Sequence, residues 1–280
     1  RSRRHPFGCL RIKMKKILIT ENKERSTLNM TTLQFASDLH IEHSRDELQD
    51  PKDYISPTAE VLILAGDIGS LYRINQLRAF LEQLSKLFQA ILYIPGNHEF
   101  YTMPNHKPIS YKALEARLDS LDHAIPNLHV LNRSSVRIRN ICIVGCTLWS
   151  NPKCTVPPFI VRVHGLNTPA YAKRHVDDLH YIKKMVRYCK KEGYEMVVVT
   201  HHPPSYRALV GAKKKKHFDS LYASNLDHLL NGEDMKLWIC GHTHKNIDFV
   251  SDKGCRVVTN QKGKPKDRVK DYSKSFQITL

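Results

Sequence analysis

The feature that most constrains the fold is a series of short apolar runs, each of which ends in a polar loop. The runs are rich in β-branched residues and give way to glycine, serine or histidine, as buried strands often do. They lie at residues 33–36, 61–65, 91–94, 141–146, 196–200, 237–240 and 256–259. Each is far shorter than the roughly 18 residues of a membrane-spanning helix, so we predict no membrane span.

Helical periodicity separates several of these runs. Ile74, Leu77, Leu81, Leu84 and Phe88 recur at steps of three and four residues, as on one apolar face of a helix. Residues 111–121 and 176–189 show the same pattern. Strands that alternate with helices predict an α/β domain with a substantially parallel sheet.

The positive charge of the chain lies mainly at its two ends. The net charge is +17, and residues 1–29 hold nine basic and two acidic residues, while residues 262–280 hold six and two. We therefore predict a basic N-terminal extension at 1–29, which we expect to be disordered, a single domain at 30–261 and a basic C-terminal segment at 262–280.

The cysteines favour a reducing compartment. Their number, seven, is odd, they form no C-x-x-C pair, and several lie within the apolar runs, where a thiol behaves as a small hydrophobic group. Residues 1–29 lack the apolar core of a secretory signal, and a basic targeting segment or an extended gene model are the alternatives there. We predict a cytoplasmic protein.

Polar residues typical of metal sites follow five of the predicted strands. In open α/β sheets, ligands bind beyond the carboxyl ends of the strands. The five loops are Ser37-Asp38-Leu39-His40, Gly66-Asp67-Ile68, Gly96-Asn97-His98-Glu99, His201-His202-Pro203-Pro204 and Gly241-His242-Thr243-His244. Each motif alone is weak evidence, since such pairs are often only hydrogen-bonded at a surface. Together they bring so many oxygen and imidazole donors to one edge that we predict a divalent metal site.

These motifs resemble the calcineurin-like metallophosphoesterase superfamily, and they come in the order that the family uses. Asp38 and Asp67 are 29 residues apart, and Asp67 and Asn97 are 30 apart, which leaves room for one strand–helix unit each. The resemblance covers roughly residues 33–260. It implies an α/β fold in which a β-sandwich is flanked by helices, in four layers (αββα).

The resemblance also implies a dinuclear metal centre with a hydroxide between the ions that attacks phosphorus. The ligands of the first ion would be Asp38, His40, Asp67 and His244. The ligands of the second ion would be Asp67, Asn97, His201 and His242. Imidazole and oxygen ligands without thiolate suit manganese, our first choice, and also iron, zinc or nickel.

Further roles are expected for residues beside these ligands. His98 resembles the family's catalytic histidine, which protonates the leaving oxygen or stabilises charge on the phosphoryl group. Glu99 either orients His98 or caps the following segment. His202 is a candidate substrate contact or a support for a ligand, with a hydrogen bond to a nearby carbonyl as the structural alternative. Arg207 is a second candidate substrate contact.

The four lysines that follow Arg207 belong to the same basic region. They could form a cationic rim for a polyanionic substrate, or a solvated loop. Together with the two basic termini, they make contact with nucleic acid possible. They are Lys213, Lys214, Lys215 and Lys216.

One departure from the family narrows the substrate class. The Ser/Thr protein phosphatases extend the second motif to G-D-x-x-D-R-G, whereas this chain reads Gly66-Asp67-Ile68-Gly69-Ser70-Leu71-Tyr72. The second aspartate and the arginine are missing. We therefore predict a phosphoric ester hydrolase outside that branch, which cleaves a small phosphodiester, nucleotide or phosphomonoester.

Two other function classes are also compatible with the fold. A nuclease on the same centre is the alternative, because the basic segments would favour a polyanion. A non-catalytic scaffold is less favoured, because it has no physical need for Asp67, Asn97 and His98.

Overall fold

Two β-sheets pack against each other at the centre of the fold. The computed structural model describes residues 14–19, 30–44, 48–209 and 218–280. The strands in these ranges are β1 (Met14–Ile17), β2 (Thr32–Ala36), β3 (Val61–Ala65), β4 (Ala90–Ile94), β5 (Leu128–Val130), β6 (Ser134–Ile138), β7 (Ile141–Cys146), β8 (Glu195–Thr200), β9 (Leu237–Cys240), β10 (Asp248–Val250), β11 (Arg256–Thr259) and β12 (Gln277–Thr279). The α-helices are α1 (Ile74–Ser85), α2 (Tyr111–Ala124), α3 (Thr168–Glu192) and α4 (Asp219–Tyr222).

Both sheets are mixed, with parallel strands at their centres. The larger sheet has the order β1-β6-β7-β8-β9-β11-β10, and the smaller has the order β12-β2-β3-β4-β5. Strands β2 to β5 pair in parallel, as do β7, β8, β9 and β11. The antiparallel pairs are β12–β2, β6–β7 and β10–β11. The parallel strands therefore bring the carboxyl ends of each sheet to one edge.

Alternating side chains along the strands build three apolar layers. Between the sheets, Phe35 and Ile63 of the smaller sheet share a buried cluster with Ile143 and Val199 of the larger one. A second cluster joins α1 and α2 to the outer face of the smaller sheet. A third joins α3 to the outer face of the larger sheet. The order helix, sheet, sheet, helix confirms the predicted four-layer fold.

The helices begin and end at recognisable caps. The side chain of Ser110 accepts a hydrogen bond from the Ala113 amide at the start of α2, and Asn167 accepts one from the Ala170 amide at the start of α3. Helix α3 ends at Gly193, whose φ of 72° suits a residue without a side chain. No helix of the described ranges is long and apolar enough to cross a bilayer.

All seven predicted strands are present, with ends that differ by at most one residue. The five additional strands are β1, β5, β6, β10 and β12. Four of these, all but β6, lie at the sheet edges. Edge strands are short and partly exposed, so their sequences lack the continuous apolar run of a buried parallel strand.

Strands of the fold lie on both sides of the predicted domain limits at residues 30 and 261. Strand β1, within the extension that we expected to be disordered, pairs in parallel with β6. Strand β12, within the predicted basic C-terminal segment, pairs with β2. These limits were based on the distribution of charge. A charge count does not detect a strand whose pairing depends on a single apolar residue such as Ile278. Residues 1–13 and 20–29 of the extension lie outside the described ranges.

Replacing Ile278 with Ala should lower the free energy of unfolding by about 2–3 kcal/mol. The side chain is 7% exposed, and Ile278 belongs to the cluster between the sheets and pairs with Leu33. The exposed neighbour Gln277 supplies the control, since Gln277→Ala should change stability by less than about 0.5 kcal/mol. Urea unfolding followed by circular dichroism measures both variants. Equal, negligible effects would show that β12 is not part of the fold in solution.

Candidate metal centre

The predicted ligands meet where the carboxyl ends of the two sheets come together. Strands β2, β3 and β4 lead into the loops that carry the aspartates, His40 and Asn97, and β8 and β9 lead into those that carry the remaining histidines. Hydrogen bonds join the two sheets here. Nδ1 of His201 lies 3.0 Å from the carbonyl oxygen of Ala65, and the backbone N–H of His242 donates to the Asp38 carboxylate at 3.1 Å.

Most of these ligands sit on a left-handed backbone. Five predicted ligands have φ between 51° and 77°, namely Asp38, His40, Asp67, His242 and His244. A residue with a side chain pays on the order of 1–2 kcal/mol for this conformation, and aspartate and histidine adopt it more readily than most. The sharp reversal of the chain turns each side chain back over the end of its sheet. Such strain is typical of functional sites.

Two glycines leave room for these ligands. A Cβ atom at Gly66 would overlap the ring of His201, and one at Gly96 would overlap the carboxylate of Asp67. Gly66 also has a φ of 88°. The sequence pattern predicted glycine for the sharp turn, and the close approach of the neighbouring ligand is a second reason for it.

The four residues predicted for the first ion converge on one point. The ligand atoms of Asp38, His40, Asp67 and His244 all lie within 4.8 Å of one another. Nε2 of His40 is 3.0 Å from Nε2 of His244, and the latter is 3.3 Å from Oδ1 of Asp38. Two imidazole nitrogens aimed at each other beside two carboxylates fit a shared cation.

Carboxylates on the outer side fix these two imidazoles. Nδ1 of His40 lies 3.0 Å from Oε1 of Glu42, and Nδ1 of His244 lies 2.5 Å from Oδ2 of Asp267. Such contacts hold the Nδ1 proton and leave Nε2 for a metal. Sequence reasoning missed both acids. The position of Glu42, two residues after His40, was a usable signal, whereas Asp267 lies in the segment that we had treated as separate.

The residues predicted for the second ion gather around His201. Its Nε2 lies 2.9 Å from Oδ1 of Asn97, 3.2 Å from Nδ1 of His242 and 3.3 Å from Oδ1 of Asp67. The other oxygen of Asp67 is 3.7 Å from Nε2 of His40. Asp67 therefore lies between the two groups, where a bridging ligand would have to be. The imidazole and oxygen donors of both groups fit divalent ions.

The buried carboxylates and histidines shift one another's pKa values. Burial would lower the pKa of His201, but the charges of Asp67 and Asp38 and the hydrogen bond to Asp67 together outweigh it and raise the value to about 9. Burial and the neighbouring His201 lower the pKa of His202 to about 3, and burial holds that of His242 well below its ordinary value. The carboxylates thus retain a proton on His201 at a position that a metal cation would occupy.

Glu99 ties the second and third loops together instead of orienting His98. Its carboxylate accepts hydrogen bonds from the backbone N–H groups of Asp67, Ile68 and Gly96 at 2.7–3.0 Å, and from the Tyr93 hydroxyl at 2.7 Å. Burial and the charge of Asp67 raise the pKa of Glu99, and these donors oppose the rise. The contact fixes the separation of the Asp67 loop and the Asn97 loop.

His98 lies at the edge of the ligand groups, between the carboxylate of Glu42 and the side-chain nitrogen of Lys264. Its Nδ1 is 3.1 Å from Oε1 of Glu42, and its Nε2 is 2.9 Å from Nζ of Lys264. Its backbone N–H donates to Oδ1 of Asp67 at 2.8 Å. Burial would raise the pKa of Glu42, but the hydrogen bonds from His40 and His98 outweigh it and lower the value to about 2. Glu42 is therefore a carboxylate that holds both imidazoles.

The two predicted substrate contacts have different surroundings. His202 is buried beside the ligands, with its ring centre 4.0 Å from that of His242, and it lines the cavity over the site. Arg207 does not line that cavity. Its guanidinium lies 3.7 Å from the centre of the Phe249 ring. Lys213 to Lys216 fall outside the described ranges.

A cavity of about 300 Å³ opens above the ligands. Its floor includes Asp67, Asn97 and His242, and its walls include Phe159, Arg162, Tyr222 and Lys264. The volume suits a phosphoryl group with part of its substituents. Trp149 is buried beneath this region against Tyr171 and does not line the cavity.

Comparison with known proteins agrees with this geometry. The model of the calcineurin-like phosphoesterase family matches residues 32–246. The chain belongs to this family. The predicted resemblance and the prediction of a metal-binding phosphoric ester hydrolase are thereby confirmed.

Two relatives align with this calcineurin-like phosphoesterase over different lengths. Protein L509 of Acanthamoeba polyphaga mimivirus is 25% identical over 268 residues, which cover 85% of this chain and 93% of that protein. The [acyl-carrier-protein] phosphodiesterase PptH of Mycobacterium tuberculosis is 35% identical over 71 residues, which cover 25% of this chain and 21% of that protein.

The crystal structure of the phosphopantetheinyl hydrolase PptH from Mycobacterium tuberculosis has the same fold. It superimposes with a TM-score of 0.68 and 19% sequence identity, covering 89% of this chain and 95% of that one. PptH is named as a phosphodiesterase and a hydrolase, not as a Ser/Thr protein phosphatase, in agreement with the incomplete second motif of this phosphoesterase.

Replacing Glu99 with Gln should destabilise the metal-free protein by about 1–3 kcal/mol, because the amide NH₂ would face backbone donors and leave at least one of them unpaired. Tyr93→Phe removes only one of the five hydrogen bonds to Glu99 and should cost about 0.5–1.5 kcal/mol. Denaturant unfolding with chelator present measures both variants without the contribution of bound metal. A loss in E99Q no larger than that in Y93F would show that Glu99 does not hold the loops.

Proposed function

We propose that this phosphoesterase hydrolyses a small phosphodiester with the help of two divalent ions. One observation supports this most strongly: two groups of converging ligand atoms share Asp67. The ligands of the first ion are Asp38, His40, Asp67 and His244. The ligands of the second are Asp67, Asn97, His201 and His242. Bound ions would supply an activated bridging water as the nucleophile and neutralise charge on the phosphoryl oxygens.

The protein's own groups position the reacting phosphate. Oε1 of Glu42 accepts a hydrogen bond from Nδ1 of His98, which leaves Nε2 directed at the cavity. Once Nε2 has taken up a proton, His98 would stabilise charge on the phosphoryl group or pass that proton to the leaving oxygen. The buried ring of His202 packs against His242 and would restrict the position of that ligand. The aromatic walls of the cavity would exclude water from the leaving group.

A diester is preferred to a monoester as the substrate. PptH, which is similar to this chain over 71 residues, is named as a phosphodiesterase that acts on acyl carrier protein. A phosphopantetheinyl diester is therefore the first natural compound to test. Manganese remains the preferred metal, with iron, zinc and nickel as alternatives. The six cysteines in the described ranges are free thiols, which supports a reducing, cytoplasmic location.

A nuclease on the same centre is the alternative. The net charge of +17 favours it, since a polyanion would release counterions from the basic segments. The small cavity, bounded by Phe159 and Tyr222, favours a small ester instead. Binding of RNA or DNA with a steep salt dependence, together with cleavage of either polymer, would support the nuclease.

Metal-stripped protein resupplied with Mn²⁺ should hydrolyse bis(p-nitrophenyl) phosphate faster than p-nitrophenyl phosphate. Asp67→Asn should abolish this activity and reduce the metal content, because the bridging position loses its negative charge. The exposed Asp177 offers a control, since Asp177→Asn should alter neither. Absorbance at the aryl leaving group and metal analysis by mass spectrometry give the two readouts. Full activity in D67N would refute the assignment.

His98→Asn should lower turnover by about 10²–10⁴-fold and leave metal content nearly unchanged. The reason is that His98 faces the cavity without joining either ligand group around Asp67. His123→Asn, on the exposed side of α2, serves as the matched control. Steady-state kinetics and metal analysis are measured on the same samples. Loss of both metals in H98N would make His98 a ligand and contradict its proposed role.

A further inference from the structure

The segment after β11 contributes a cationic side chain to the cavity over the metal ligands. Nζ of Lys264 lies 2.9 Å from Nε2 of His98, and Lys264 lines the same cavity as Asp67, Asn97 and His242. We propose that Lys264 is a catalytic residue that binds a non-bridging oxygen of the scissile phosphate. This inference rests on the proposed function, because it names a further group for the same reaction.

The position of Lys264 is fixed by contacts with the loops of the metal centre. The backbone N–H of Lys264 donates to Oδ2 of Asp267 at 2.9 Å, and the same oxygen contacts Nδ1 of His244. The backbone N–H of Lys262 donates to the carbonyl oxygen of Ser37 at 3.1 Å. Oε1 of Gln261 accepts a hydrogen bond from the His244 amide at 2.7 Å. The segment is thus tied both to the Asp38 loop and to His244.

The hydrogen-bond roles around His98 follow from the chemistry of the ammonium group. The ammonium group of Lys264 can only donate a hydrogen bond, so Nε2 of His98 must be the acceptor. The ring proton of His98 is therefore on Nδ1, which donates a hydrogen bond to Glu42. No carboxylate of the described residues forms an ion pair with Nζ of Lys264. A partly buried ammonium group beside a neutral imidazole, without an acid, is a suitable place for an anion.

The charge of the cavity points to the same ligand class. Among the described residues, the basic side chains that line it are Arg162 and Lys264, and the acidic one is Asp67, a proposed metal ligand. A lysine ammonium is a compact point charge that commonly binds phosphate oxygens. On substrate binding, Nζ would exchange Nε2 of His98 for a phosphoryl oxygen and stabilise its negative charge. No bond to Lys264 forms or breaks in this step.

Lys264→Ala should lower kcat/KM for bis(p-nitrophenyl) phosphate by about 100-fold, with metal content unchanged. Added methylammonium should restore part of the rate, because a small cation can enter the space that the side chain leaves. Lys266→Ala removes the same charge from the same segment, but Lys266 is exposed and does not line the cavity, so this variant should behave as wild type. Equal rates in K264A and wild type would overturn the proposal.

Binding of inorganic phosphate supplies a readout that does not depend on turnover. Calorimetry on Mn²⁺-loaded protein should give a Kd for phosphate about tenfold higher in K264A than in wild type or K266A. If K264A bound phosphate more weakly than wild type but wild type hydrolysed no ester, the proposed function would be wrong and the phosphate contact would still be supported. Unchanged phosphate affinity in K264A would overturn the contact itself.

A second variant separates charge from structure. If K264A lost metal through displacement of Asp267 and His244, Lys264→Gln would carry the test, because it keeps a polar side chain of similar reach without the charge. Weaker phosphate binding in K264Q at full metal content supports the proposal. Phosphate binding and turnover equal to wild type in K264Q contradict it.

Discussion

Two carboxylates, Asp38 and Asp67, are almost completely buried where the two sheets meet, and the site is built around the need to compensate them. Buried charges of this kind are stable only beside opposite charge or hydrogen-bond donors. Burial would raise their pKa values, but contacts with His244 and His201 outweigh it and lower both. Because these histidines follow strands of the larger sheet and the aspartates follow strands of the smaller one, compensation is possible only when both sheets pack in one register.

This arrangement stores strain as well as charge. Five of the seven proposed ligands have a left-handed backbone, and each costs on the order of 1–2 kcal/mol. Their loops are held by groups that do not bind metal, above all by Glu99, whose carboxylate joins the second and third loops. The apolar layers on both faces of the sheets leave the strand ends little freedom to relax. Rigid strands thus hold the ligands close together before any ion is bound.

The sequence predicted the parts of this structure that depend on local pattern. Buried parallel strands such as 61–65 are continuous apolar runs, so their positions, and the ligands directly after them, could be read from the chain. Edge strands such as β1 and β12 could not be read from the chain in this way, because a strand at the edge of a sheet can pair with only one buried apolar residue in its sequence. Asp267 and Lys264 reach the site through contacts that no local pattern encodes. Arg207 follows His201 closely in sequence, yet its guanidinium lies over the Phe249 ring, because proximity along the chain does not fix the direction of a long side chain.

The segment that charge alone assigned to a separate tail connects the two halves of the proposed chemistry. Asp267 holds the outer nitrogen of His244, a proposed ligand, while Lys264, three residues earlier, reaches Nε2 of His98 on the substrate side. The Asp267 carboxylate also accepts the backbone N–H of Lys264, so one hydrogen-bonded unit positions both side chains. A shift of this segment would therefore move His244, a proposed metal ligand, and Lys264, the proposed phosphate-binding group, together. Strand β12 follows this segment and pairs with β2 of the smaller sheet, so the fold itself limits how far the segment can shift.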